Sequence, residues 1–267
     1  MIVDETVNKL RYLHLDTMAD KLVEILENRE FDELSFDEKI AMIVDCEWSF
    51  KESKKINRLG KYAGYAIPEA RIEAIEYTPE RELKKVLVAQ LSLCTYIQKA
   101  ENIIITGATG TGKTYLACAL GRAANKNSFK VRYYREDVLE MELVTARMEN
   151  TYAKKMNELR SLDLLIIDEW LTYPVSETGA QDIQRILDSR YMHHSTIVCT
   201  QLKIDGWFER VGDKQITDAK KKEILVKLNK KSIIKGRLSQ EYIDGFILIF
   251  QKRQKCITNL TSTFPLL

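Results

Sequence analysis

The chain has 267 residues, 45% hydrophobic and 30% charged, with only 4 prolines and 11 glycines, which suits one large or two modest globular domains and excludes fibrous and disordered classes. Its formal net charge of +2 hides an asymmetry: residues 220–267 carry 11 Lys and Arg against 3 Asp and Glu, leaving 30 against 36 for residues 1–219. The main body is not broadly basic, so a grip on nucleic acid there requires a local cluster of cations.

The opening Met1-Ile2-Val3-Asp4-Glu5 lacks the basic and long apolar regions of a secretory signal, and the longest apolar run, Phe246 to Phe250, is too short to span a bilayer. A cytoplasmic protein without a membrane partner is expected. Cys46, Cys94, Cys118, Cys199 and Cys256 are scattered, with no C-x-x-C pair, which fits reduced thiols. His193 and His194 are adjacent, so on a helix or strand they cannot both aim at one ion, and a surface position is expected for them.

From Leu10 to Leu26 the apolar residues Leu10, Leu13, Met18, Leu22, Ile25 and Leu26 fall near helical spacing. Ser35-Phe36-Asp37-Glu38 predicts a capping box, followed by a helix with Ile40, Ile43, Val44 and Trp48 on one face. Its continuation places Lys51, Lys54, Lys55, Arg58 and Lys61 three or four residues apart, ending near Gly60 and Gly64. Those cations form either a solvated face or a DNA-phosphate contact. Thr78-Pro79-Glu80 predicts a helix start, with Leu83, Val86, Leu87, Leu91 and Cys94 as its apolar stripe. Buried strands then alternate with amphipathic helices: strand 102–106, helix 113–125, strand 129–134, helix 136–160, strand 163–168, helix 178–192 and strand 196–201. Such alternation predicts an α/β fold with a parallel sheet covered on both faces.

Gly107-Ala108-Thr109-Gly110-Thr111-Gly112-Lys113-Thr114 satisfies G-x-x-x-x-G-K-[ST], after the strand Asn102 to Thr106 and before the helix-forming Leu116 to Leu120. Glycines let successive N–H groups curl around phosphate oxygens, and the helix N-terminus adds its dipole. Lys113 is placed to reach the β- and γ-phosphates of ATP, and the Thr114 hydroxyl to sit on Mg²⁺. Downstream, Leu164-Leu165-Ile166-Ile167 reads as a fully buried strand ending in Asp168-Glu169. Asp168 suits the Mg²⁺ shell, and Glu169 suits polarising the water that attacks the γ-phosphate, which favours hydrolysis over transfer. The strand Ser195 to Thr200 is followed by Gln201, either a sensor of the γ-phosphate and attacking water or a strand cap. No arginine-rich lid insertion follows the P-loop, which argues against a kinase.

Beyond these motifs, the chain resembles the IstB-like helper ATPases of bacterial insertion-sequence transposition, AAA+ proteins akin to DnaC-type replicative-helicase loaders. The resemblance runs from about Leu10 to Ala219. It rests on residues 34–39, 47–52 and 75–79, on Thr111 to Gly121 and Val131 to Arg135, and on Asp188 to Tyr191, Ser195 to Leu202 and Trp207 to Ala219. It implies a helical N-terminal DNA- and oligomer-contact domain (1–70), an AAA+ core (71–219) and a basic, atypical tail (220–267). It also implies ATP-dependent assembly into a homo-oligomer on double-stranded DNA, with a DDE-type transposase as partner in target choice. A helicase loader, or an assembly protein that switches on ATP with little turnover, is the alternative. After Thr217-Asp218-Ala219 the family's apolar-Asp-Arg segment is replaced by Lys220-Lys221-Lys222, and Lys235 to Ser239 only faintly matches its terminal region. The arginine that would reach a neighbouring subunit's nucleotide therefore has only Arg190, Arg210 and Arg237 as candidate substitutes.

Overall fold

The computed structural model describes residues 2–78, 83–173, 175–202 and 246–251. They divide into two compact units, Met1–Arg58 and Leu59–Leu267. The division falls at residue 58 rather than 70 because Ala63, Tyr65 and Ala70 are buried in the core of the larger unit.

The smaller unit contains α1 (Ile2–Tyr12), α2 (Asp16–Glu27) and most of α3 (Phe36–Ala63). The single periodic run expected from Leu10 to Leu26 is broken, because His14 takes a left-handed φ of 57° and reverses the chain between α1 and α2. Val7, Ala19, Ile25 and Ile43 are buried in this unit. Glu47 of α3 accepts hydrogen bonds from the Thr17 hydroxyl and the Met18 N–H, so a carboxylate from one helix caps the first turn of another. The capping box forms as expected: Ser35 N–H donates to Glu38 Oε2 at 2.8 Å, and Glu38 N–H donates to Ser35 Oγ at 3.3 Å. The apolar face expected on α3 is buried only at Ile43. Ile40, Val44 and Trp48 are 44%, 45% and 68% exposed, since they lie around the helix from the buried strip at Ile43 and Glu47.

The larger unit is built on a five-stranded sheet in the order β2-β3-β4-β1-β5, with every pairing parallel. The strands are β1 (Asn102–Gly107), β2 (Val131–Arg135), β3 (Leu164–Asp168), β4 (Ser195–Thr200) and β5 (Phe246–Gln251). Alternate residues point to opposite faces, so the strand interiors feed two separate cores. Ile103, Ile105, Tyr133, Leu164, Ile166, Ile197 and Cys199 pack on one face with α4 (Lys85–Ser92), α5 (Thr95–Gln98) and α6 (Lys113–Lys126). Ile104, Tyr134, Leu165, Ile167 and Val198 pack on the other with α7 (Glu136–Met148), α8 (Tyr152–Arg160) and α9 (Glu177–Arg190). Buried on both faces, the interiors of β1, β3 and β4 read as continuous apolar runs.

Two expectations are corrected here. The helix expected at 136–160 is two helices, because Asn150 turns the chain at φ 57° and Thr151 N–H closes on Ala146 O at 2.8 Å. Helix α4 begins at Lys85 with Lys84 as its N-cap, while Pro79 and Glu80 of the expected helix start lie outside the described residues; of the expected stripe, Val86 is 66% exposed and Val88 is buried in its place. The apolar run Phe246 to Phe250 lies in strand β5, paired with β1 from Asn102↔Phe246 to Gly107↔Gln251.

Arg190 ends α9 and is 1% exposed. Its guanidinium donates to Leu159 O at 2.6 Å, Leu162 O at 2.8 Å, Ser195 O at 2.5 Å and Thr196 Oγ1 at 3.2 Å. Burial pulls its pKa below the usual guanidinium range, with the Asp163 charge opposing the shift. It ties the end of α8 and the entry of β3 to the start of β4, and with every nitrogen engaged inside its own subunit it is not free to act as a finger in a neighbour. Arg210 and Arg237 lie outside the described residues.

Two stability predictions rest on this packing. Arg190→Leu strands three carbonyls in the core and is expected to cost about 3 kcal/mol or more. That is roughly 6–12 °C in the thermal midpoint for a domain of this size, and a midpoint within a degree of the parent would refute the clamp. At Gly121 of α6 an added Cβ would stand 2.6 Å from Tyr65 Cε1 and 2.8 Å from Ile166 Cδ1, whereas at Gly60 it would meet nothing within 4 Å. Gly121→Ala should therefore destabilise by about 1–3 kcal/mol, and Gly60→Ala, inside α3, should stabilise by about 0.5–1 kcal/mol. Thermal scans of the two variants should move in opposite directions.

Candidate functional site

Because the sheet is parallel, the carboxyl ends of its strands share one edge, and the site is assembled there. In register, Thr106 of β1 lies beside Thr200 of β4, and Arg135 of β2 lies beside Asp168 of β3. The P-loop leaves β1 at Gly107 and enters α6 at Lys113. Gly110 and Gly112 adopt φ of 78° and 90°, conformations that cost a side-chain-bearing residue far more than glycine. The Thr111 hydroxyl donates to Ala108 O at 2.9 Å and closes the loop on itself. No acidic residue occupies the first turn of α6, so the partial positive charge of the helix N-terminus is left uncompensated for an anion.

Lys113 lies back across this loop, donating to Gly107 O and Ala108 O, both at 2.9 Å. Burial lowers its pKa, and the neighbouring Cys199, Asp168 and Glu169 side chains oppose the shift. Among the described residues its ammonium is held by these two carbonyls, beside the N-terminus of α6, and is available to a phosphate oxygen.

Asp168, 3% exposed, is the most heavily coordinated group of the site. The Thr114 hydroxyl donates to its Oδ2 at 2.6 Å, the Tyr133 hydroxyl donates to the same oxygen at 2.8 Å, and Glu169 N–H donates to Oδ1 at 2.8 Å. The sequence-predicted metal residues, Thr114 and Asp168, are thus in direct contact. Among the described residues no group of three or more His, Cys, Asp or Glu side chains could hold a metal ion alone. A hydroxyl and a carboxylate side by side fit Mg²⁺, which takes one or two protein oxygens and fills its octahedron with water and phosphate.

Glu169 leaves β3 in a left-handed conformation, φ 57°, and its Oε2 lies 3.2 Å from Arg135 Nε. Arg135 also pairs with Asp137 at 2.8 Å, and the Glu169 and Asp137 charges raise its pKa. Gln201 follows β4 and accepts from Thr109 Oγ1 at 2.7 Å, so the predicted sensor touches the P-loop directly. Tyr133 and Arg135 were missed in the sequence. The signal was present, since both lie at alternating positions of a strand ending beside β3, but only the strand order makes β2 the neighbour of β3.

The predicted DNA contacts are all on α3, and part of their charge is already engaged. Lys51 pairs with Glu47 at 3.4 Å, Lys55 pairs with Glu52 at 3.8 Å, and Lys54 stands 5.9 Å from the Phe50 ring centroid. Lys51, Lys54 and Arg58 are exposed in the smaller unit, and Lys61 is exposed on the last turn of the helix, in the larger unit.

Residues 8–236 match the family model described as IstB-like ATP binding protein, a span that continues past Ala219. An insertion sequence ATP-binding protein, y4pL, of Sinorhizobium fredii is 33% identical over 222 residues, covering 82% of this chain and 89% of its own. Among solved structures, the replication initiator DnaA bound to AMPPCP and single-stranded DNA aligns with TM-score 0.52 at 18% identity, covering 70% of this chain and 51% of that one. The DnaC helicase loader aligns with TM-score 0.50 at 16% identity, covering 68% and 97%. At those identities the structures speak for the fold, which is that of the AAA+ P-loop ATPases. Sequence motif, site geometry and matched span agree, and the chain belongs to the IstB-like ATP-binding protein family of insertion sequences.

Proposed function

We propose that this chain is a Mg²⁺-dependent ATPase that assembles as a homo-oligomer on double-stranded DNA and assists a DDE-type transposase in choosing its target. The observation that carries the nucleotide half of this reading is the contact of Thr114, Asp168 and Tyr133 beside a P-loop whose lysine faces its own carbonyls. When bound, Mg²⁺ supplies charge neutralisation on the β- and γ-phosphate oxygens. Thr114 and Asp168 would hold it, with the Tyr133 hydroxyl fixing the carboxylate's orientation. The N–H groups from Ala108 to Thr114 would cradle the phosphates, and Lys113 would exchange its two carbonyls for phosphate oxygens. Glu169 would accept a proton from the attacking water, and Gln201 would leave Thr109 to align that water or the γ-phosphate.

Insertion-sequence relatives support the transposition context. A fold neighbour captured with a nucleotide analogue and single-stranded DNA supports a role on nucleic acid. A second reading, an ATP-driven assembly switch with slow turnover, is favoured by one observation: Glu169 is already paired with Arg135, which lowers the availability of its carboxylate as a base.

For the nucleotide site, Lys113→Ala should weaken binding of a fluorescent ATP analogue by about 10- to 100-fold, the worth of one or two charge-assisted hydrogen bonds. Glu169→Gln should keep that affinity while hydrolysis falls by about 10²–10⁴-fold. Parental affinity in the first variant, or parental turnover in the second, would remove the corresponding role. For DNA, reversing Lys51, Lys54 and Arg58 to Glu should weaken ATP-dependent binding to duplex. The log–log salt slope should drop by about 0.9 for each phosphate that is no longer neutralised. Gel-shift titrations across salt concentrations would exclude the α3 patch if slope and affinity stayed unchanged.

A further inference from the structure

Immediately after the strand that supplies Asp168, the chain makes a turn that decides where Glu169 points. Glu169 and Leu171 both adopt left-handed φ, 57° and 54°, which neither side chain favours intrinsically, so something outside the turn must hold it. On one side β4 supplies the hold: Trp170 N–H donates to Cys199 O at 2.8 Å and Trp170 O accepts from the Thr200 hydroxyl at 2.9 Å. On the other side stands Glu136, the first residue of α7, whose Oε2 accepts the Leu171 N–H at 2.6 Å.

Glu136 is 6% exposed, and its second oxygen, Oε1, is buried with no hydrogen-bond partner among the described residues. Burial raises its pKa to about 7, with the Leu171 N–H opposing the rise and the Glu140 and Asp137 charges adding to it. A side chain that merely filled this space would be apolar, because a buried carboxylate with one orphan oxygen is costly. What this one provides is a strong acceptor at the single N–H that the second left-handed residue turns toward α7. Its sequence neighbour Arg135 pairs with the Glu169 side chain. Arg135, the last residue of β2, and Glu136, the first of α7, therefore hold the turn with their side chains, one at the Glu169 carboxylate and the other at the Leu171 N–H.

We infer that Glu136 is a positioning residue for Glu169, fixing the Glu169–Leu171 turn through the Leu171 N–H so that the carboxylate is presented at the phosphate edge of the sheet. The inference rests on the hydrolytic reading proposed above and adds to it a residue that touches neither nucleotide nor metal. It also makes the start of α7 mechanically continuous with the water-activating group, so a displacement of that helix would reach Glu169 through one hydrogen bond.

The test compares Glu136→Gln, which keeps an acceptor, with Glu136→Met, which removes it at similar volume, in the full-length protein. Glu136→Met should lower kcat for ATP by about tenfold or more, as small misplacements of catalytic groups do, with KM and affinity for a non-hydrolysable ATP analogue unchanged. Glu136→Gln should stay within about threefold of the parent. Hydrogen exchange at the Leu171 amide should be slow in the parent and the Gln variant and fast in the Met variant. Parental kcat in Glu136→Met, or a Gln variant as impaired as the Met variant, would overturn the assignment. If the parent itself shows no turnover, the hydrolytic reading fails by that result alone. The exchange data then judge Glu136: protection lost only in the Met variant upholds the clamp, and equal protection in all three proteins ends it.

Discussion

Parallel pairing in a fixed register is the constraint on which the site depends. Every strand of the described sheet runs the same way, so β1, β2, β3 and β4 deliver their last residues to one edge, and a one-residue slip would turn each polar terminus into the opposite core. The pairing of Arg135 with Asp168 and of Thr106 with Thr200 sets which side chains can meet there. Apolar packing enforces that register: the odd and even positions of β3 feed different cores, and all five of its residues are buried. The chemistry at the edge thus inherits its precision from hydrophobic residues that never touch it.

Within that edge the distribution of charge is uneven. Asp168 has its carboxylate satisfied by two hydroxyls and an N–H, a neutral donor set that a cation can rearrange without breaking an ion pair. Glu169, by contrast, is partnered by a guanidinium that also serves Asp137, so its freedom depends on where Arg135 sits. Lys113 is held, among the described residues, by the Gly107 and Ala108 carbonyls. Of the two carboxylates, Asp168 is therefore the more firmly fixed, buried and held by three neutral donors, while Glu169 is partly exposed and tied by one ion pair.

Arg190 shows how far a residue's type can mislead about its role. An arginine near the end of a helix that precedes β4 is a reasonable candidate for reaching outward, yet the fold draws it inside to satisfy three carbonyls where α8, β3 and β4 converge. Irregular backbone at such a junction leaves acceptors that no strand pairing reaches, and a five-donor guanidinium is the side chain best able to gather them. The same logic explains Glu47, a carboxylate of α3 that caps α2.

Local and periodic features were legible in the sequence by itself. The P-loop with its flanking strand and helix, the buried run ending in Asp168-Glu169, the alternation that implies a parallel sheet, and the Ser35–Glu38 capping box all depend on residues close together in the chain, where spacing dictates geometry. What only the tertiary structure decided involves partners far apart or backbone reversals. His14 and Asn150 break runs whose periodicity continues through them, because periodicity reports which face is apolar and not whether the chain turns. Tyr133, Arg135 and Glu136 reach β3 and the turn after it only because β2 is placed beside it, an adjacency that strand order, and not chain order, determines. The run Phe246 to Phe250 finds its place the same way: five apolar residues specify a buried strand or helix segment equally well, and pairing with β1, more than a hundred residues earlier in the chain, is what selects the strand.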